Sequence, residues 1–258
     1  WAPEWTSLLI AVELSGAETA SDAVRALAEL SGAAAPASDD APSWELSIPW
    51  AGGDSLLWSH AVEHTLFVGV GGAARAELAA LEADLMVVCD FGQILAATTL
   101  ATARLGGVNL HGSLLPAYRG AAPIQWALIN GDRETGVTTM VMEEELDAGD
   151  MLLHARTAIS GDDTAATLHD RLAEMGAPLL LETLDQLADG RLDPIPQDPT
   201  AVTYAPLLTK KDGRIRWDQP TATIDAFIRG MTPWPGAFTF LGDLRLKLFK
   251  VRPARLPQ

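Results

Sequence analysis

The sequence predicts an α/β protein built on a doubly wound, mostly parallel sheet, and three observations carry that expectation. Short apolar runs of strand length alternate with Ala- and Leu-rich helical patterns through the first half of the chain. The runs are almost continuously apolar, as strands covered by helices on both faces must be. The chain is 258 residues long, 48% hydrophobic and 20% charged, with 22 Gly and 16 Pro, a composition that buries a real core and is neither disordered nor disulfide-rich.

The elements follow in order. LLIAV (8–12) precedes the helical SDAVRALAELSG (21–32), and residues 33–55, rich in Pro, Ser, Asp and Gly, read as a long surface excursion. TLFVGV (65–70) leads into AARAELAALEA (73–83), DLMVVC (84–89) into AATTLATARLGG (96–107), and GVNL (107–110) into AAPIQWALINGD (121–132). GVTTMVM (136–142) and MLLHARTAI (151–159) are further strands. Residues 161–190 begin with Asp and Thr cap candidates and repeat Leu at helical spacing, which predicts a long helix, jogged before Pro178 and ended by Gly190. RLDPIPQDPT (191–200), with three prolines, reads as an extended linker. Beyond it, IDAFIRGM (224–231) suggests a helix, and AFTFL (237–241) with LRLKLFKV (244–251) alternate like paired strands around Gly242–Asp243.

Charge is distributed unevenly. Residues 1–209 hold 8 Lys and Arg against 30 Asp and Glu, whereas residues 210–258 hold 10 against 4, so an acidic body carries a basic tail that suits a polyanion. A single cysteine, Cys89, excludes an intramolecular disulfide and sits in an apolar run as a small core residue, which makes the cytoplasm the expected compartment. No apolar stretch approaches the ~20 residues that span a bilayer, and the first basic residue is Arg25. Residue 1 is Trp, as in a processed form or part of a longer chain.

Two short patterns compete for attention. His60-Ala61-Val62-Glu63-His64 fits the H-x-x-E-H zinc pattern, but that pattern needs a helix and a third ligand, and a strand follows at once. Gly69-Val70-Gly71-Gly72-Ala73-Ala74 fits G-x-G-x-x-A between a strand and a helix, with Asp90 where a ribose-binding acid falls, yet tight Gly turns recur in doubly wound sheets that hold no nicotinamide.

Residues 106–151 are different in kind. Asn109 and His111 flank Leu110 at the end of a strand, so alternation sends both to one face. Downstream, Leu146-Asp147-Ala148-Gly149-Asp150 makes a tight loop able to bring a carboxylate to that histidine. Asn, His and Asp together can bind an oxyanion, move a proton and hold an imidazole in its working state; the plainer reading is a capped turn beside a core histidine.

The wording of this region resembles the formyltransferases that use 10-formyltetrahydrofolate. HGSLLPAYRGAAPIQWALINGDRETGVTTM (111–140) and ELDAGDML (145–152) are similar to its signature segments, and TYAPLLTKKDGRIRW (203–217) and IRGMTPWPGAF (228–238) to the opening of its C-terminal domain. The resemblance implies a Rossmann-like formyltransferase domain over 1–190, a linker over 191–208 and the start of a small C-terminal β-barrel over 209–258. It implies Asn109, His111 and Asp147 as the catalytic trio, without a metal. Folate contacts would come from Phe91, Gly92, Gln93 and Leu95 at the pterin wall and from Ser113, Leu114, Leu115 and Pro116, with a cis Leu115–Pro116 bond. The implied reaction moves a formyl group from 10-formyltetrahydrofolate to the amine of methionyl initiator tRNA, gripped through the basic tail, with no membrane involved.

Nothing in residues 1–60 matches the family's Gly-Thr-Pro-x-Phe-Ala turn, and 33–55 is acidic where the family carries a basic insertion. A sugar-nucleotide N-formyltransferase of the same fold, a binding-only relative and an NAD-dependent reductase are the competing readings.

Overall fold

The computed structural model describes residues 8–12, 57–62, 65–68, 78–80, 83–89 and 94–251. Seven strands, β1 (Leu8–Val12), β2 (Leu57–Val62), β3 (Thr65–Val68), β4 (Leu85–Cys89), β5 (Gly107–His111), β6 (Glu134–Val141) and β7 (Met151–Ala158), form one sheet in the order β2-β3-β1-β4-β5-β6-β7. The helices described in full are α1 (Ala97–Leu100), α2 (Pro123–Ile129), α3 (Ala165–Ala188) and α4 (Thr221–Gly230), and a hairpin of β8 (Ala237–Leu241) and β9 (Leu244–Leu248) follows.

The α/β class stands, but the sheet is mixed, which corrects the expectation of a mostly parallel one. Among the described strands only the β4–β5 ladder is parallel; β1 with β3 and β4, β2 with β3, β5 with β6, and β6 with β7 all pair antiparallel. Between β5 and β6 the chain passes through the single short helix α2 and then turns back along β5. The chain re-enters the sheet beside the end at which β5 left it, with His111 opposite Thr138 and Val108 opposite Val141.

Helical cover on both faces explains the unbroken apolar strands. Leu85 and Val87 of β4 pack with Val108, Leu152 and the α3 residues Leu180 and Leu184. Met86 and Val88 pack on the other side with Leu78, Leu95, Leu100 and Ala103. The α3 helix opens on a capping box in which Thr164 and Thr167 satisfy each other's backbone N–H groups, and Gly190, at φ +64°, lies just past its end. Pro178 sits inside α3 without ending it. An interior proline costs about 3 kcal/mol, and burial of Leu179, Leu180 and Leu184 at about 1.5–3 kcal/mol each offsets it.

Residues 191–208 form no helix, make one turn in which the Ala201 N–H donates to the Asp198 carbonyl, and dock onto the body. Ile195 exchanges backbone hydrogen bonds with Met151, and Arg119 does so with Thr203 and Ala205. Beyond them, Leu208, Ile215, Ile228, Met231 and Ala237 share an apolar cluster with Ala122, Trp126 and Ile129, so the C-terminal segment is seated on α2. Gly242, at φ +57°, opens the two-residue β8–β9 turn, where hairpin twist calls for a positive φ. Among the described residues no helix is long and apolar enough to cross a membrane.

Candidate active site

Strand alternation on β5 separates packing from chemistry. Val108 and Leu110 face α3, where Gly176 makes room for the Leu110 side chain, since a Cβ there would lie 2.6 Å from it. Asn109 and His111 face the other way. Asn109 is registered between Val88 of β4 and Met140 of β6, and with them it lines a cleft whose remaining walls include Leu95, Met142, Leu146 and Asp147. The Asn109 amide makes no hydrogen bond among the described residues and is available to a ligand.

His111 is 6% exposed. Its Nε2 lies 2.9 Å from the Tyr118 carbonyl oxygen, which can only accept, so Nε2 carries a proton and donates it there. Its Nδ1 lies 3.6 Å from Asp147 Oδ2. Asp147, with 13% of its side chain exposed, accepts the Gly120 N–H on that same oxygen at 2.8 Å. It adopts φ +49°, a left-handed conformation that Asp tolerates better than most residues, and so turns its carboxylate back over the sheet toward β5. Two residues on, Gly149 presses against β6, where a Cβ would collide with the Val141 carbonyl oxygen. The loop from Met142 to Asp150 can therefore lie close to the sheet only with glycine there.

The segment after β5 is built inward. Ser113 is fully buried, and its hydroxyl donates to the Ala117 carbonyl at 2.6 Å. The Thr138 hydroxyl donates to the Ser113 carbonyl and accepts the Leu115 N–H. Leu115–Pro116 is a cis bond. None of Ser113, Leu114, Leu115 and Pro116 lines the cleft, whereas Leu95 does. Phe91, Gly92 and Gln93 lie outside the described residues, as do the glycines of 69–72, Asp90, Glu63 and His64. His60 belongs to β2, so the zinc-type pattern has no helix to carry it. Among the described residues no group of three or more His, Cys, Asp or Glu is arranged to hold a metal.

Sequence reasoning missed the residues that fix the histidine. Tyr118, at φ +64°, presents its carbonyl to His111 while its phenol donates to Asp132 at 2.6 Å and accepts from Asn130 at 3.0 Å. Burial and the Asp132 carboxylate push that phenol above its ordinary value of 10.0. A backbone carbonyl leaves no mark on a sequence. Gln197, 9% exposed within the proline-rich stretch, donates to the carbonyls of Asp147 and Gly149 at 2.8 Å each. Its one signal was an uncharged amide among prolines.

On this helix-covered sheet the unengaged Asn109 amide and Asp147 line the cleft, and the buried His111 ring lies behind Asp147, 3.6 Å from its carboxylate. Residues 71–184 match the formyl transferase family and residues 207–257 its C-terminal domain, together well over half of the chain, which belongs to the formyltransferase family. Within that family it is similar to the methionyl-tRNA formyltransferase of Citrifermentans bemidjiense, 52% identical over 178 residues that are 69% of this chain and 56% of the relative. The chain spans about half the length of the curated relatives it matches. Among solved structures, a sugar N-formyltransferase from Shewanella superposes with a TM-score of 0.60 at 19% identity, covering 72% of this chain and 76% of that one. HypX from Aquifex aeolicus, solved in complex with tetrahydrofolic acid, superposes at 0.55 with 23% identity over 64% of this chain and 28% of that one. Both likenesses are of fold.

Proposed function

We propose that the chain carries the machinery that transfers a formyl group from 10-formyltetrahydrofolate to the α-amine of methionyl initiator tRNA. The observation that carries the reading is the pairing of His111 with Asp147 beside the unengaged Asn109 amide. Support comes from the lining of the cleft, where apolar walls from Val88, Leu95, Met140 and Met142 suit a flat heterocycle and Asn109 and Asp147 supply polar groups.

In the reaction a bond forms between the attacking amine nitrogen and the formyl carbon, and the bond from that carbon to N10 of the folate breaks. The amine loses a proton and N10 gains one. Asn109 donates to the formyl oxygen as negative charge develops there, a contribution typically worth about 3–4 kcal/mol. His111 moves the proton at Nδ1, because its Nε2–H is committed to the Tyr118 carbonyl. Asp147 stabilises the ring while it is charged and holds its plane.

Leu95 supplies part of the folate wall, with Phe91, Gly92 and Gln93 preceding it in sequence across Ile94. The 113–116 loop contributes through its backbone, since the Ser113 hydroxyl is already engaged. We assign catalysis to residues 1–190 and tRNA contact to the module beginning near 209, where Lys210, Lys211, Arg214 and Arg216 are all exposed. The cytoplasm is the compartment in which such a substrate pair meets.

The test incubates the protein with 10-formyltetrahydrofolate and methionyl-tRNA and resolves formylated product on an acid gel, with His111→Ala as the control. Product that disappears with His111→Ala supports the reading. Formylation of a nucleotide-linked amino sugar in place of the tRNA would replace it with the sugar alternative, and binding of folate without turnover on either amine would reduce the chain to a binding protein.

A further inference from the structure

We infer that Gln197 is a positioning residue for the reaction, acting through Asp147. This rests on the function proposed above, but its geometry stands apart from it. The Gln197 side chain joins three segments that are distant in sequence. Its Oε1 accepts from Arg119 Nε at 2.9 Å, and its Nε2 donates to the carbonyl oxygens of Asp147 and Gly149 at 2.8 Å each. The amide has one orientation only. Arg119 Nε is a donor, so the atom facing it is the oxygen, and the NH2 group is left with two hydrogens for two carbonyls.

Each end of the clamp is itself fixed. Arg119 is buried, and its backbone is bound by Thr203 and Ala205. Gly149 is pressed onto the Val141 carbonyl. Between them, Asp147 holds its left-handed conformation, in which its carboxylate reaches both the Gly120 N–H and His111 Nδ1. Two hydrogen bonds to the backbone on either side of Ala148 act on the orientation of that carboxylate while touching no substrate. A purely structural role would show as loss of folded protein. A positioning role shows in turnover and in the local order of the 142–150 loop.

The test uses Gln197→Glu, which keeps the size and the Arg119 acceptor but removes both N–H donors, and Gln197→Met, which keeps the volume should the first variant fail to fold. Two readouts are taken. In hydrogen exchange, the amides of 147–150 should exchange at least about tenfold faster while those of α3 keep wild-type rates. In steady state, kcat should fall roughly 30-fold with KM for the formyl donor within about threefold, and the same substitution in an Asp147→Asn background should cost less than about threefold more, as expected of residues that act as a unit. Unchanged exchange in the loop overturns the inference. So does an equal loss of kcat in both backgrounds, or a loss matched by the fraction unfolded. Wild-type protein inactive on every amine would refute the proposed function, and the exchange measurement would still decide for or against the clamp.

Discussion

Replacing Asp147 by Asn isolates the charge of the carboxylate at the candidate site, because nearly everything else about the position survives. Asn tolerates φ +49°, and its side-chain oxygen can still accept the Gly120 N–H. What disappears is a negative charge 3.6 Å from His111 Nδ1 in surroundings that are mostly buried. At an effective dielectric of about 20, two unit charges at that distance attract by about 4.6 kcal/mol. An amide dipole in the same place retains part of this, so the charged ring in the transition state should lose about 2–4 kcal/mol. At 1.36 kcal/mol for each factor of ten, kcat should fall roughly 30- to 1000-fold. Because the substitution acts on charge developing in the proton-transfer step and leaves the apolar cleft walls untouched, KM for the formyl donor should stay within about threefold. Steady-state kinetics at saturating amine, with the urea midpoint measured in parallel, makes the test. Loss of kcat below threefold, or an effect confined to KM, would refute the electrostatic role.

His111→Ala should abolish formyl transfer while leaving the dissociation constant for the folate, read by calorimetry, nearly unchanged. Asp163 should set part of the acid limb of stability. Burial raises its affinity for a proton, but hydrogen bonds from Arg171 and the Ser160 N–H outweigh this and hold it below the usual 3.8. The unfolded chain therefore binds that proton first, so the contribution is full above about pH 4 and is lost as pH falls through the lower native value; Asp163→Asn should flatten the urea-midpoint profile below pH 4. Neutralising Lys210, Lys211 and Arg214 together should weaken tRNA binding at low salt and reduce the slope of log affinity against log salt by up to about 3 units, leaving formylation of a minimal amine intact. A slope unchanged by the triple variant would mean that these charges meet only solvent.

The parts of the fold governed by local rules were readable in the sequence. Apolar runs located every described strand of the sheet except β2, whose LWSHAV is broken by Ser59 and His60; Thr164 and Gly190 bounded α3, and the Asn109-Leu110-His111 alternation placed two polar side chains on one face and a leucine on the other. What escaped depended on how the chain returns through space. The sense of the β5–β6 pairing depends on which end of β5 the chain re-enters beside, which no periodicity records. Ser113 is one hydroxyl in a motif whether it faces ligand or protein, and only the structure turns it onto Ala117. Tyr118 acts through its carbonyl, and Gln197 acts from a stretch whose composition suggested a tether.

The apolar cluster under α2 bears on how the two halves of the chain can vary. Ile228 and Met231, both almost fully enclosed, rest beside Trp126 and Ile129, and Trp126 also reaches across to donate to the Pro206 carbonyl. The C-terminal segment thus completes the core of the part that bears the site. A tail transplanted from a relative would bring its own apolar surface to this junction, and α2 would have to change with it. Swapping at the proline-rich stretch alone would part Ile228 and Met231 from Trp126 and Ile129, so the exposed face of α2 and the C-terminal segment have to be exchanged as a matched pair.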